Sequence, residues 1–425
     1  MNAPVHSAVQ PRVQSPMRRG ACPGLSAPMA TGDGLLARLT PSGATISLAA
    51  FASLCAAAGR HGNGIIEVTS RGSIQFRGLN DASAGPFAAD IAALGIPANE
   101  GIAVMPDPLA GLCEEECLDA GEIAHDMRRA LAASSLASRL SAKVSVIVDG
   151  GGALHLDDVA ADVRLRASDG NRFHVAAGGT ASSATPIGVA SSDRATECVT
   201  RLLGLLASVA PGLRMRDVIA GAGPEQCRAE LAGIVEPAAA PDARPAAEPV
   251  GMHRLRSGQF AVGVAPPFGH SDAETLHRLI GEAANGGAAG LRAAPGRALL
   301  VIGLSPGAAS AFASRAEALG FIVDPTDPRR RVIACAGAPI CASGEIPARA
   351  LAPIVAQAVC ASDAPGPVHV SGCAKGCAHP SPAPVTIVGR DRACDIHLNG
   401  SLVASASVDA LPEQLGRVLS NGTRR

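Results

Sequence analysis

Two cysteine pairs near the C-terminal end of the chain constrain its fold more than any other feature. Cys335 and Cys341 lie in the segment ACAGAPICASGE, and Cys373 and Cys377 lie in VHVSGCAKGCAHP. A 4Fe-4S cluster is held by four cysteine thiolates, so a fold that binds one must bring both segments to the same place. Gly372, beside the second pair, permits the tight turn that such a loop needs. The spacing therefore predicts one 4Fe-4S cluster held by two loops.

Structural zinc, buried unreactive cysteines and disulfides are the alternatives to a cluster. Zinc sites favour C-x2-C or C-x4-C spacing, whereas these pairs are C-x5-C and C-x3-C. With 12 cysteines in 425 residues a chance pair can arise, but two glycine-flanked pairs in neighbouring loops are less expected. The chain opens with MNAPVHSAVQ, which lacks the basic and then apolar order of a secretory signal. We therefore expect a cytoplasmic protein, in which disulfides are rare.

Charge and hydropathy exclude several classes of partner. The net charge is −1 and no block of basic residues occurs, which argues against nucleic acid or an anionic membrane surface as the main partner. No run of about 18 apolar residues is free of charged or turn residues, so the sequence predicts no membrane span. The absence of Trp and Tyr also removes the stacking platforms that single-stranded nucleic acids use.

A Pro- and Ala-rich segment, residues 235–250, divides the chain into two halves and is predicted to be an extended linker. The same order of elements is predicted on both sides of it. In the first half the helix-like segment SLAAFASLCAAAGRHG precedes the strand segment GIIEVTSRGSIQFRGL; in the second, DAETLHRLIGEAANGG precedes AGLRAAPGRALLVIGL. This faint repeat indicates a duplicated α/β unit. Residues 1–17 are predicted to be disordered.

Several motifs are shared with one known family. The cysteine loops, the segments VTSRGSIQFRGL and DPLAGL, and the duplicated halves together resemble the siroheme-dependent nitrite and sulfite reductases. Within that superfamily, RRGACPGLSAPMATGDGLLAR and SGCAKGCAHP are similar to the precorrin-3B synthases. The resemblance implies a duplicated α+β fold of the sulfite reductase type. It implies ferredoxin-like half-domains at residues 18–82 and 251–322, and α/β tetrapyrrole- and cluster-binding domains at 83–234 and 323–418, the last of which carries the cluster.

The resemblance also implies an activity. In the precorrin-3B synthases the tetrapyrrole is the substrate, so the chain is expected to be an oxygen-dependent monooxygenase of aerobic cobalamin (vitamin B12) biosynthesis. It would convert precorrin-3A to precorrin-3B by hydroxylating a meso carbon while an acetate side chain closes a lactone. A siroheme-dependent nitrite or sulfite reductase is the alternative, and a non-catalytic iron–sulfur electron carrier is a third hypothesis.

Two departures from the reductase pattern favour the monooxygenase. A reductase needs several cations around its small anion. Arg71 in VTSRG and Lys143 in LSAKVSV match two of them, whereas Ile102 and Ser145 stand where two others are expected. The resemblance implies a substrate with several carboxylates, which Arg and Lys bind well, so Arg71 and Lys143 are the predicted substrate-binding residues. Other basic residues on segments expected to face the same cavity are Arg77, Arg292 and Arg297.

Oxygen activation and electron supply call for further groups. The resemblance implies a mononuclear non-haem iron beside the cluster, for which His379 is the first candidate ligand; the weaker candidates are His61, His125 and His369. The sequence lacks a G-x-G-x-x-G motif between a strand and a helix. We therefore expect reducing equivalents, formally from NADH, to arrive through a redox partner protein, with dioxygen as the second substrate. The sequence identifies no catalytic residue.

The acidic segment LCEEECLDA, which contains Cys113 and Cys117, supports two interpretations. Its mixed ligands suit a metal ion, and on a helix the two cysteines would share one face. It equally fits the acidic start of a helix after PLAG. Cys22 in ACPGL is predicted to be a turn residue without an assigned role.

Overall fold

The computed structural model describes residues 23–99, 101–362, 366–379 and 383–422. The segment 1–17 and Cys22 lie outside the described residues. In the described part of the chain, no helix is both long and apolar enough to cross a membrane.

The first half of the chain alternates strands and helices. In chain order these are β1 (Met29–Thr31), β2 (Gly34–Leu39), α1 (Leu48–His61), β3 (Ile65–Val68), β4 (Ile74–Leu79), α2 (Asp81–Ala93), β5 (Ala103–Pro106), α3 (Ala120–Ala132), α4 (Leu136–Arg139), β6 (Ser145–Asp149), β7 (Ala161–Asp169), β8 (Arg172–Gly179), β9 (Thr185–Ser191), α5 (Ala195–Val209), α6 (Met215–Ala222) and α7 (Glu225–Glu230).

The second half repeats this alternation after the linker. Its elements are β10 (Gly251–Arg254), β11 (Phe260–Val264), β12 (His270–Asp272), α8 (Ala273–Asn285), β13 (Gly290–Ala294), β14 (Ala298–Leu304), α9 (Pro306–Ala318), β15 (Val332–Ala334), α10 (Ala348–Cys360), β16 (Val368–Ser371), β17 (Val385–Arg390), β18 (Ala393–Leu398), β19 (Ser401–Ser407) and α11 (Leu411–Gly422).

Two of the sheets, with the orders β1-β2-β4-β3-β12 and β10-β11-β14-β13, belong to the half-domains. The helices α1 and α8 begin at equivalent side-chain caps. Ser47 accepts a hydrogen bond from Ala50 N at 3.2 Å, and Asp272 accepts one from Thr275 N at 2.7 Å. The buried apolar residues of each helix recur every three or four positions and enter one core that both half-domains share.

Each half-domain contributes backbone to the sheet of the other. The short strand β12, which precedes α8, pairs with β3 and sets Ser271 opposite Ile66. Reciprocally, Ile46, which precedes α1, forms a bridge to Leu291 in β13, with both N···O distances at 2.8 Å. The exchange runs in both directions, through a three-residue strand in one and a single bridge in the other, so the halves are joined by sheet hydrogen bonds.

The two α/β sheets share one strand order and one set of directions. In the sheet β5-β6-β7-β8-β9 the first two neighbouring pairs are parallel and the last two are antiparallel. The same holds for β15-β16-β17-β18-β19. Helices α3 and α5 pack on the first sheet, and α10 and α11 pack on the second. The predicted duplication therefore extends through the α/β domains.

The Pro- and Ala-rich segment between the halves has no helix or strand over residues 237–249, and it is bound to the first α/β domain. Its residue Arg244 forms ion pairs with Asp149 and, at 2.7 Å, with Asp157. His155 Nε2 lies 2.9 Å from the carbonyl oxygen of Pro245. These contacts hold the Pro- and Ala-rich segment, which has too few apolar side chains to pack on its own.

Candidate functional site

The two cysteine loops leave the same edge of one sheet. Strands β15 and β16 are parallel neighbours, with Ile333 opposite His369, so their carboxyl ends point in the same direction. Cys335 directly follows β15, and Cys373 lies just beyond the end of β16. The sheet topology therefore brings together two segments that are distant in sequence.

Contacts within the loops fit a set of cluster ligands. The Gly372 amide donates a hydrogen bond to Cys335 Sγ at 3.0 Å. Burial raises the pKa of the Cys335 thiol, the Gly372 and Gly337 amides lower it, and negative charge on Cys377 and Cys341 raises it further. These three sulfurs are therefore close enough to interact electrostatically. Hydrogen bonds from backbone amides to sulfur stabilise thiolates and tune the reduction potential of a cluster.

Glycines are required where the two loops touch. A Cβ on Gly372 would lie 2.8 Å from Gly337 Cα, and a Cβ on Gly337 would lie 2.4 Å from Ala348 N. Gly337 also has φ +62°, which residues with side chains rarely adopt. This close approach sets the chain beside Cys373 against the chain beside Cys335.

One buried histidine next to the second loop has an unpartnered nitrogen. His369 in β16 is 3% exposed, and its Nε2 has no hydrogen-bond partner among the residues that the structure describes. Its ring centroid lies 5.8 Å from that of His379. Burial lowers the pKa of His369 to about 4, so it is a neutral imidazole at neutral pH. The other histidine candidates lie elsewhere, because His61 pairs with Asp90 at 2.8 Å and His125 is exposed on α3.

A cluster and a single metal ion need different arrangements of ligands at this edge of the sheet. In the part of the chain that the structure describes, no three Cys, His, Asp or Glu side chains converge tightly enough to hold one ion. A 4Fe-4S cube does not need that convergence, because its own width separates the four thiolates. A single iron at His369 and His379 would need further ligands from solvent or substrate.

The predicted substrate-binding residue Arg71 reaches the start of β6. Its Nη2 donates to Ser145 Oγ at 3.1 Å and to the Ala160 carbonyl oxygen at 2.9 Å. Ser145 is buried, and Lys143, two residues earlier, is exposed at the same end of the strand. Ile102 is buried as well. The structure thus places Arg71 against Ser145, a contact that the sequence did not predict.

Two other basic candidates, Arg77 and Arg292, form hydrogen bonds within the protein. Arg77 donates to both carboxylate oxygens of Asp33, at 2.7 and 2.6 Å. Arg292 donates to the carbonyl oxygens of Pro108 and Ala110 at 3.2 and 2.9 Å. Their guanidinium groups therefore link elements of the fold, and their orientation towards the tetrapyrrole stays a prediction.

The first α/β domain contains a loop with the backbone geometry of the first cysteine loop. It runs from the end of β5 to the start of α3, with the same length as the loop between β15 and α10. In the cysteine loop, Cys341 N donates to Gly337 O at 2.8 Å; in the first domain, Cys113 N donates to Leu109 O at 3.1 Å. Equivalent bonds also run to the next strand: Glu345 N to Gly372 O, and Cys117 N to Gly150 O.

This match places Asp107 where the second domain has Cys335, and Cys113 where it has Cys341. Cys113 and Cys117 consequently lie in a loop and do not share a helix face. The acidic segment LCEEECLDA instead leads into α3, which begins at Ala120 with Asp119 as its N-cap. The Cys113 thiol instead donates to Glu115 Oε2 at 2.8 Å. The spacing from Asp107 to Cys113 equals that from Cys335 to Cys341. Nothing in the sequence indicated, however, that Asp107 takes the place of a cysteine.

Asp107 is a buried acid without an ion-pair partner in the described residues. It is 0% exposed, and neither carboxylate oxygen has a partner in hydrogen-bond geometry. Burial raises its pKa to about 8, and the charges of Glu116 and Asp149 add to the rise. The nearby amides of Gly150 and Leu109 oppose it, as those of the equivalent Gly372 and Gly337 do for Cys335.

Comparisons with known proteins agree with this architecture. Residues 27–94 match the family model described as the nitrite/sulfite reductase ferredoxin-like half domain. The precorrin-3B synthase of Sinorhizobium sp is 38% identical over 389 residues, which cover 91% of this chain and 84% of that protein. Sulfite reductase [ferredoxin] 2 of Mycolicibacterium paratuberculosis is 28% identical over 190 residues, 41% of this chain and 32% of that protein.

A solved structure shows the same fold. The Mycobacterium tuberculosis NirA protein superimposes with a TM-score of 0.71 at 18% identity, over 91% of this chain and 80% of that one. The duplicated α+β fold of the sulfite reductase type, predicted from the motifs, is confirmed.

Proposed function

The chain belongs to the precorrin-3B synthase family, and we propose that it converts precorrin-3A to precorrin-3B. In this reaction one atom of dioxygen hydroxylates a meso carbon and the other leaves as water, while an acetate side chain closes a lactone. Two electrons and two protons balance the reaction; both electrons and one proton come formally from NADH, and the second proton comes from solvent. The observation that carries the proposal is the meeting of the two cysteine loops at one sheet edge, in a chain that matches its relative over most of its length.

We propose Cys335, Cys341, Cys373 and Cys377 as the four ligands of a 4Fe-4S cluster. The hydrogen bond from the Gly372 amide to Cys335 Sγ supports this assignment, as does the electrostatic interaction of Cys335 with Cys377 and Cys341. Such a cluster would supply single electrons when bound. The protein's part is to hold the thiolates on two rigid strand ends and to direct backbone amides at the sulfur.

Substrate binding is assigned to Arg71 and Lys143. The substrate carries carboxylates, and a guanidinium can bind a carboxylate with two parallel hydrogen bonds if its orientation is fixed. Ser145 and the Ala160 carbonyl fix the orientation of Arg71. Lys143 is exposed two residues before Ser145 and can add a second positive charge at the same end of β6.

The oxygen-activating centre and the electron donor are further parts of the proposal. We assign His379 as a ligand of a mononuclear non-haem iron, with His369 beside it as a second imidazole. Neutral imidazole is the form that binds metal, and the unpartnered Nε2 of His369 fits that role. A redox partner protein would deliver the electrons, since no dinucleotide-binding motif is present.

The residues around Arg71 separate this function from its alternative, a siroheme-dependent reductase. A reductase must hold nitrite or sulfite and protonate its oxygens, which calls for several cations around a small cavity. Ser145 and Ile102 are both buried and neutral, so that end of β5 and β6 lacks two of the expected charges. This difference favours a large polycarboxylate over a small anion.

Anaerobic purification tests the proposal. Iron, labile sulfide and extractable tetrapyrrole are quantified on one sample, which is then mixed with metal-free precorrin-3A, a reductant and dioxygen. We expect a cluster, iron in excess of it, no siroheme, and oxygen-dependent loss of the precorrin. Stoichiometric siroheme would make the chain an anion reductase, and a cluster without turnover would leave an electron carrier.

A further inference from the structure

A half-buried arginine from the second half-domain binds the loop that carries the fourth cysteine. Arg297 lies at the tip of the hairpin between β13 and β14, and its Nη2 donates to the Ala378 carbonyl oxygen at 3.2 Å. Ala378 stands between Cys377 and His379. The guanidinium is therefore bound to the backbone of the segment to which both a cluster ligand and an iron ligand are assigned.

The charge of Arg297 has no acidic partner among the residues that the structure describes. Burial lowers its pKa, and Glu67 is the acid whose charge opposes that effect. Glu67 already forms ion pairs with Arg77 and Arg349, each at 3.3 Å. A half-buried cation whose neighbouring acid already pairs with two other arginines is unfavourable, so a further anion is expected to complete this site.

Arg297 has an unusual backbone conformation and is closely surrounded by neighbouring chain. Its φ is +63°, a left-handed conformation that residues other than Gly, Asn and Asp seldom adopt. Position 269 lies opposite Arg297 and is occupied by glycine. A Cβ on Gly269 would lie 2.5 Å from Arg297 Cδ, so a larger residue would clash there. The Gly296 amide beside it donates to Ser70 O at 3.0 Å, next to Arg71. The hairpin tip thus touches both the predicted substrate residue and the cluster loop.

We infer that Arg297 is a countercharge of the iron–sulfur cluster, and that it both positions the Cys377–His379 segment and raises the reduction potential of the cluster. The inference rests on the cluster assigned under the proposed function. A 4Fe-4S cluster with four thiolates is an anion, and each electron that enters makes it more negative. A fixed positive charge therefore stabilises the reduced form more than the oxidised form.

The distance limits the size of this effect. The hydrogen bond to Ala378 O and the step of about 3.8 Å between consecutive Cα atoms place the guanidinium no more than about 12 Å from Cys377 Sγ. At an effective dielectric constant of about 20, one unit charge at about 12 Å changes the redox equilibrium roughly tenfold. For a one-electron couple a tenfold change corresponds to about 59 mV.

The test compares two variants of Arg297 with a matched control in the purified, cluster-loaded protein. Arg297→Gln removes the charge, and Arg297→Lys keeps it. The control is Arg166→Gln, because Arg166 also donates to a backbone carbonyl, that of Asp242 at 2.7 Å, but lies in the other α/β domain. The midpoint potential is measured by anaerobic spectroelectrochemistry, with iron and sulfide content determined on the same samples.

We expect Arg297→Gln to lower the reduced-to-oxidised ratio at the wild-type midpoint at least tenfold, while Arg297→Lys and Arg166→Gln change it less than threefold. An unchanged potential in a cluster-loaded Arg297→Gln protein would overturn the inference. If the Gln variant does not fold, a tenfold shift in Arg297→Lys would refute it, since that variant retains the charge. A wild-type protein without a cluster would instead contradict the proposed function.

Discussion

Asp107 makes the stability of the first α/β domain depend on pH. Its folded pKa is about 8, whereas an aspartate in an unfolded chain titrates near 3.8. Between these values the folded state binds a proton that the unfolded state has lost, so stability falls as the pH rises. The favourable contribution is complete below the unfolded pKa and is lost progressively up to about pH 8.

The structure sets the size of this effect. One proton corresponds to about 1.4 kcal/mol of unfolding free energy per pH unit. Across the window from the unfolded pKa to pH 7, the sum is roughly 4 kcal/mol for a group that is completely buried. Asparagine has the shape of the protonated acid and does not titrate, but its amide would lack a partner, which costs about 1–3 kcal/mol. Asp107→Asn should therefore raise stability at pH 7 by about 1–3 kcal/mol.

Urea unfolding at pH 5, 6 and 7, followed by far-ultraviolet circular dichroism, measures this, because the chain has neither Trp nor Tyr for fluorescence. Asp107→Asn should change the slope of unfolding free energy against pH by an amount that corresponds to nearly one bound proton. Asp324→Asn is the control: hydrogen bonds from Thr326 lower the pKa of Asp324, so its titration lies below this window. Equal pH slopes in wild type and Asp107→Asn would show that the buried acid does not titrate here, and the reasoning would fail.

Three further changes test the site and the linker. Cys377→Ser should remove most iron and labile sulfide together with the broad visible absorbance; full retention of both would refute the ligand assignment. Arg71→Ala should raise the KM for the precorrin about tenfold or more, as expected for a lost charged hydrogen bond, with cluster content unchanged; Ser145→Ala should have a smaller effect in the same direction. Arg244→Met should speed elastase cleavage within residues 237–249, because the linker loses its ion pairs; an unchanged rate would mean that other contacts hold it.

Local patterns predicted those parts of the fold that repeat or alternate. The same order of a helix-like segment and a strand segment on both sides of residues 235–250 made the duplication visible in the sequence. The exchange between the halves was not predictable, since it rests on one residue, Ile46, and one three-residue strand, β12. Neither is long enough to carry a periodic pattern.

The same limit applies to the candidate site. The cysteine spacing predicted both loops, because each pair is local in sequence. The contact of Arg71 with Ser145 joins residues 74 positions apart. It depends on how the β3–β4 hairpin meets the start of β6, and therefore on tertiary packing. The partial burial of Arg297 has the same origin, since an arginine at a hairpin tip is usually a solvated charge.

The duplicated loops separate what the backbone determines from what the side chains determine. In the first α/β domain the amides of Leu109 and Gly150 lie near the Asp107 side chain. In the second, the equivalent amides of Gly337 and Gly372 lie near the Cys335 side chain. In the second domain the side chain is a thiolate, which iron–sulfur clusters require; in the first it is Asp107, whose oxygens are poor ligands for such a cluster. The fold tolerates either side chain because the amide contacts remain, but only the thiolate can transfer its charge to a cluster. A buried carboxylate must instead take up a proton, so the first domain is expected to lose stability as the pH rises.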